Sequence, residues 1–181
     1  MKPGYILFML FLLVSLGSYI FFFERGPAPQ NQDMQAVSNT PILSLDLDAL
    51  DALELSQNAP ASSITLSKKD GQWLYEGQKA EQSRIENILR QLTPWQASRV
   101  LEENFDTQRA EEFGLKTPDM IIRLKQAGKE TVLQIGSQTP GSTGYYVTRT
   151  GTPELFLSYV NVPEDLRRLL TNPPLPKTTA N

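Results

Sequence analysis

Apolar side chains follow three rhythms along this 181-residue chain, and each suits a different environment. From Ile6 to Phe23 they are nearly continuous, 18 residues without a charge. A helix needs about 20 such residues to cross the hydrocarbon of a bilayer. Aromatics flank the run, Tyr5 at one side and Tyr19 with Phe21-Phe22-Phe23 at the other, as expected at a membrane interface. A cleavable leader has a shorter apolar region, about 7–15 residues, closed by a small-residue site. The run therefore predicts an uncleaved transmembrane anchor at 6–23, in contact with membrane lipid, behind a cytoplasmic stub at 1–5. Lys2 and the α-amino group precede it, and after Arg25 no Lys or Arg occurs until Lys68. That bias predicts a cytoplasmic N-terminus with the bulk of the chain outside, in a bacterial envelope the periplasm.

The second rhythm is an absence of apolar periodicity. Residues 24–41 are rich in Pro, Gln and Asn and predict a flexible linker. Residues 171–181 carry Pro173, Pro174 and Pro176 and predict a disordered tail.

Between them, at 42–170, periods of two and of 3.6 alternate. Asp51–Leu55 is a first strand candidate. Ser63–Lys68 alternates with Ile64 and Leu66 on one face; Asp70-Gly71 turns the chain, and Gln72–Glu76 returns with Trp73 and Tyr75 on one face. Ser83 and Glu86 have the spacing of a capping box. Ile85, Ile88, Leu89 and Leu92 then form one helical stripe, which Pro94 ends. An extended stretch follows Trp95. A helical turn at 106–113, capped by Asp106 or Thr107, stops at Gly114. Met120, Ile122 and Leu124 alternate inward, Ala127-Gly128 turns, and Leu133 and Ile135 face inward on the return. A loop at 136–144 precedes a hairpin of 144–149 with 154–160, and Pro163 opens a last helix carrying Leu166, Leu169 and Leu170. The expected class is α+β, mostly antiparallel hairpins with a few packed helices. Hairpin-then-helix occurs twice, at 63–92 and 145–170, which suggests a loose internal echo.

Composition narrows the chemistry. The chain has no Cys and no His, so disulfides, thiolate metal sites, acylated-Cys anchors and histidine general bases are excluded. A net charge of −3 gives no basic footprint for nucleic acid. Asp46, Asp48 and Asp51 lack the turn glycine and closing Glu of a calcium loop, and Leu47, Leu50 and Leu53 interleave them as a core stripe. Glu102-Glu103 and Glu111-Glu112 are adjacent in sequence, so their side chains diverge, and Lys68-Lys69 sit beside a turn. The expectation is no enzyme, no cofactor and no metal. The Gly136–Gly144 loop offers backbone N–H groups, hydroxyls and a following tyrosine pair. That makes Thr139, Gly141, Tyr145 and Tyr146 the candidate contacts for a ligand or partner. The alternative is a turn whose glycines meet backbone demands alone.

The order of motifs resembles that of one family. Ile64-Thr65-Leu66 and Asp70-Gly71-Gln72-Trp73 are followed by the stripe helix. Gly114-Leu115-Lys116-Thr117-Pro118 comes next, then Ile135-Gly136-Ser137-Gln138-Thr139-Pro140-Gly141 leading to Tyr145-Tyr146-Val147. Over residues 42–170 this resembles the family known as domain of unknown function 4340. The resemblance implies a membrane-anchored, extracytoplasmic protein of the kind that stands beside ABC transport systems of the gliding-motility auxiliary type. It carries no catalytic residues over to this chain. The expectation is a tethered interaction module, an accessory to an envelope or transporter complex. The alternative is a domain that binds a glycan, peptide or small molecule through the Gly136–Gly144 loop and the tyrosine pair.

Overall fold

The computed structural model describes residues 40–175, which lie within one compact unit. The expected anchor at 6–23 and stub at 1–5, most of the expected linker and the last six residues of the expected tail lie outside the described residues. Among the described residues no helix is long and apolar enough to cross a membrane.

Nine strands form one antiparallel sheet, and two helices cover one of its faces. In chain order the elements are β1 (Pro41–Leu43), β2 (Leu50–Asn58), β3 (Ala61–Lys69), β4 (Gln72–Tyr75), β5 (Gln78–Lys79), α1 (Gln82–Leu92), β6 (Trp95–Gln96), β7 (Arg99–Glu102), a 3₁₀ turn (Thr107–Arg109), β8 (Met120–Gln126), β9 (Lys129–Gln138), β10 (Gly144–Arg149), β11 (Leu155–Tyr159) and α2 (Asn161–Thr171). The sheet order is β5-β4-β3-β2-β8-β9-β10-β11-β7, and β1 pairs separately with β6. The class is α+β.

Cross-strand register places the apolar positions in rows. Leu55 lies between Ile64 and Ile122, and Leu53 between Leu66 and Leu124. A third row runs Gln57, Met120, Ile135, Val147, Phe156. Ile85, Leu89 and Leu92 of α1 and Val162, Leu166 and Leu169 of α2 close over them. Burying each such side chain is worth roughly 1.5–3 kcal/mol, so these rows fix which face each strand turns inward. Trp95 is buried in the core and donates its indole N–H to Ser158 Oγ at 2.9 Å, which satisfies that donor.

The hairpins stand where their turns predict. Asp70 and Gly71 take φ +52° and +75°, and Ala127 and Gly128 +48° and +79°, the left-handed pairs that two-residue hairpins require. Several boundaries differ from the sequence reading. The strand expected at 51–55 is β2 and extends from Leu50 to Asn58, because β3 and β8 flank it on both sides, and β1 precedes it unforeseen. No capping box forms on α1. Its first helical residue is Gln82, whose side chain accepts from Trp73 N–H (2.7 Å) and donates to Trp73 O (2.8 Å), so a tertiary contact sets the helix start. Asn172, Pro173 and Pro174 lie against α1: Arg84 donates to Asn172 O at 2.6 Å and Glu81 N–H to Pro174 O at 2.6 Å.

Two glycines show how tightly elements meet. A Cβ on Gly136 would stand 2.1 Å from Phe113 O, whereas one on Gly71 would meet nothing within 4 Å. Gly136→Ala should therefore lose more than about 2 kcal/mol by displacing backbone. Gly71→Ala should lose about 1 kcal/mol, from its positive φ alone. Urea unfolding followed by tryptophan fluorescence would show the two midpoints in that order.

Candidate functional site

The two glycine motifs of the second half meet in space. Phe113 ends the turn that leads to Gly114 (φ +68°), and its carbonyl accepts from Ser137 N–H at 2.9 Å. Leu115 folds back, its N–H donating to Ala110 O at 2.8 Å, and is buried. The absence of side chains at Gly114 and Gly136 lets the turn lie directly on β9.

Beside this junction opens a cleft of about 480 Å³. Its wall combines Gly136, Ser137 and Tyr145 from the sheet, Asn58 and Pro118 from neighbouring connections, and Arg167 from α2. Polar groups around it are arranged by one another. Arg167 Nη2 donates to Asp119 Oδ2 at 2.6 Å, and its guanidinium lies 5.6 Å from the centre of the Tyr145 ring. Tyr145 Oη donates to Glu164 Oε1 at 2.5 Å. Glu164 stands in the first turn of α2, where the helix dipole favours a carboxylate. Asn58 Nδ2 donates to Pro118 O. Arg167 Nε is buried with no hydrogen-bond partner among the described residues. The cleft thus has a fixed cation edge, a carboxylate beside it and the Ser137 hydroxyl on its wall.

Burial first, and the Glu164 hydrogen bond second, push the Tyr145 phenol up to about 12 from 10.0, with Arg167 pulling the other way. At neutral pH this group is a hydrogen-bond donor, not a base.

The sequence candidates divide between several places. The strands extend to Gln138 and from Gly144, so the loop proper is 139–143. Thr139 organises it: its Oγ1 accepts from Thr143 N–H and Gly144 N–H, both at 3.3 Å, and its carbonyl from Ser142 N–H at 2.8 Å. Those amides are already engaged within the loop. Gly141 is exposed near its tip. Tyr145 reaches the cleft, on the helix-covered face. Tyr146, next along β10, points to the other face. There it meets Phe113 edge-on at 5.0 Å, and Phe113 meets Phe105 at 5.5 Å. Arg109 covers Phe113 at 5.4 Å and is held charged by Glu102 (2.7 Å) and Glu112 (2.9 Å). The structure brings Tyr145 to the cleft and leaves Thr139, Gly141 and Tyr146 off its wall. Ser137, a hydroxyl of the singled-out loop, lines the cleft, whereas Arg167, Asp119 and Asn58 line it without a local sequence signal. Only the G-L-x-x-P and I-G motifs, read together, point toward it.

The other candidates have structural partners. Asp46 accepts from Asp48 N–H at 3.0 Å, and Asp51 from Ala127 N–H at 3.0 Å. Lys68 spends its ammonium on the carbonyls of Leu47 and Asp48. Among the described residues no group of three acidic side chains is placed to hold a metal ion.

A family model described as "Domain of unknown function (DUF4340)" matches residues 74–169, more than half of the chain. The match begins in β4 and runs into α2, and it includes both glycine motifs and all of the cleft's wall except Asn58 and Ala59. No curated protein and no solved structure matches the chain.

Because the folded state holds the Tyr145 proton more tightly than the unfolded chain does, its contribution to stability is complete below about pH 10 and declines as pH rises toward 12. A phenolate absorbance titration should show one tyrosine ionising near pH 12. Tyr145→Phe should remove that step and leave the remaining steps in place.

Proposed function

We propose, for a chain that belongs to the family described as domain of unknown function (DUF4340), a role as a membrane-tethered, extracytoplasmic recognition module without catalytic activity, accessory to an envelope or ABC-type transport complex. The observation that carries this reading is the Arg167 cleft. Its Arg167–Asp119 pair and Tyr145–Glu164 bond are set in place before any partner arrives, on a rigid junction of sheet and helix. Preformed polar groups on an accessible surface favour a partner's side chains, since little ordering is needed on this side. The apolar run at 6–23 supports the tether. With Pro41 taken into β1, a linker of the length of 24–39 reaches on the order of 20–24 Å as a coil, which would hold the domain close to the bilayer and raise its effective concentration there.

A second reading, a binder of a glycan, peptide or small molecule, draws on the cleft's size. Its 480 Å³ falls among ligand pockets, which run about 300–1,000 Å³. Here Tyr145 and Ser137 would make the contacts.

Isolation of the full-length protein in mild detergent should recover transporter or other envelope proteins. Arg167→Glu should lower that recovery about tenfold, equivalent to 1.4 kcal/mol, with the fold intact by circular dichroism. Recovery unchanged by the charge reversal would remove the cleft from the interaction. A reporter joined to the C-terminus and active only in the cytosol would end the tethered, extracytoplasmic reading.

A further inference from the structure

One stretch of the nine-stranded sheet has an outer edge that no strand among the described residues covers. β3 pairs with β2 from Ala61 to Ser67, but β4 pairs with it only from Leu66 to Lys69. The ladder decides which backbone groups face the gap. Asn58 N–H donates to Asp119 O on the β8 side at 3.1 Å. Successive residues of an antiparallel strand send their N–H and C=O to opposite edges. Gln57, Leu55 and Leu53 therefore face β3, and their partners Ser62, Ile64 and Leu66 face back. Ala61, Ser63 and Thr65 are left turned outward, while Ser67, next in that series, pairs with Leu74.

Edge strands are usually blunted by Lys, Pro or a bulge. Residues 61–65 (ASSIT) contain neither a charge nor a proline, and their pairing with β2 has no register shift. Ala61, Ser63 and Thr65 are exposed, and the Ile64 side chain is buried in the core. One end of the gap is closed, because Tyr75 lies opposite Leu66 and the chain turns away at Glu76 and Gly77 (φ +50° and +75°). A hollow of about 380 Å³ occupies the gap, lined by Ser63, Ile64, Thr65, Ser67, Tyr75 and Glu76.

We infer that this edge is a docking lane for an extended segment of a partner protein, which adds as a strand beside β3. Donors and acceptors alternating at strand spacing are matched by another polypeptide backbone. Five residues of lane measure about 17 Å. A second copy of this chain fits poorly. Paired antiparallel about Ser63, its Ala61 would oppose Thr65, and its Pro60 would fall in the place of Tyr75. A partner segment that runs on past the β2–β3 turn meets no such obstacle. Exposed Glu76 at the closed end selects a Lys or Arg there. The residues along Ser63 and Thr65 are uncharged and small or β-branched, to pack beside those side chains. The lane shares no residue with the Arg167 cleft, so it stands or falls separately from the function proposed above.

The test uses the full-length protein in detergent and a fluorescein-labelled KTVTV peptide, followed by fluorescence anisotropy. The peptide should bind to saturation. Methylating its backbone nitrogens should weaken binding at least about tenfold. Ser63→Pro removes an outward N–H while sparing the β2 ladder, and should do the same; Glu76→Lys should weaken binding by charge reversal. Thr65→Lys serves as the edge variant if Ser63→Pro does not fold. The inference is overturned by equal binding of the methylated peptide or by undiminished binding to the edge variants. Absence of saturation at about 1 mM peptide also overturns it. Dimerisation that Ser63→Pro abolishes would give the edge to a second copy and overturn it too.

Discussion

Leu53 and Leu55 sit at the middle of the sheet, each between two apolar neighbours on flanking strands, and all six side chains point to the same side. That block must be covered from one face. α2 lies over it with α1 packed against α2 and β4 beside it, and a shift of any strand by one residue would turn its apolar set toward water. Helix placement, hairpin register and the position of the cleft all follow from this one-sided burial. The opposite face carries the Tyr146–Phe113–Phe105 aromatic cluster and, between Glu54 and Arg123, an ion pair that at 36% and 39% side-chain exposure contributes little by itself.

The cleft depends on a second constraint nested within the first. Its floor is a point where two backbones approach more closely than any side chain allows, at Phe113–Gly114 over Gly136–Ser137. Because that contact is made of main chain, it holds Ser137 and Pro118 rigidly while α2 brings Arg167 from the other side. Arg167 and Glu164 are three residues apart on one helix face, which lets a single helix both ion-pair with Asp119 and receive the Tyr145 hydroxyl.

Local features were legible in the sequence and long-range ones were not. The turns at Asp70-Gly71 and Ala127-Gly128 contain their own instructions, since φ > 0 at both centres restricts the residues that fit. The stripe of Ile85, Leu89 and Leu92 likewise announces its helix. The pairing of β2 with β8 and the placement of β7 at the far edge join residues distant along the chain, and no local pattern encodes them. β1 is three residues long and is a strand only because β6 lies beside it. The separation of Tyr145 from Tyr146 was available, because neighbours on a strand face opposite ways. Pairing them as one contact ignores that rule. Arg167 looks like any helical surface cation until the fold carries Asp119 and Tyr145 to it.

The short β1–β6 ribbon governs how the domain would respond to pulling. Thr40 O accepts from Ala97 N–H at 3.0 Å, Arg149 Nη1 donates to Ile42 O at 2.9 Å, and Ile42 and Leu43 are sunk in the interior. A load applied to the preceding chain would act on two buried side chains and a few hydrogen bonds before it reached the large sheet. Two hydrogen-bonded strand positions and a pair of buried side chains are thus all that stands between the chain's entry and the main sheet.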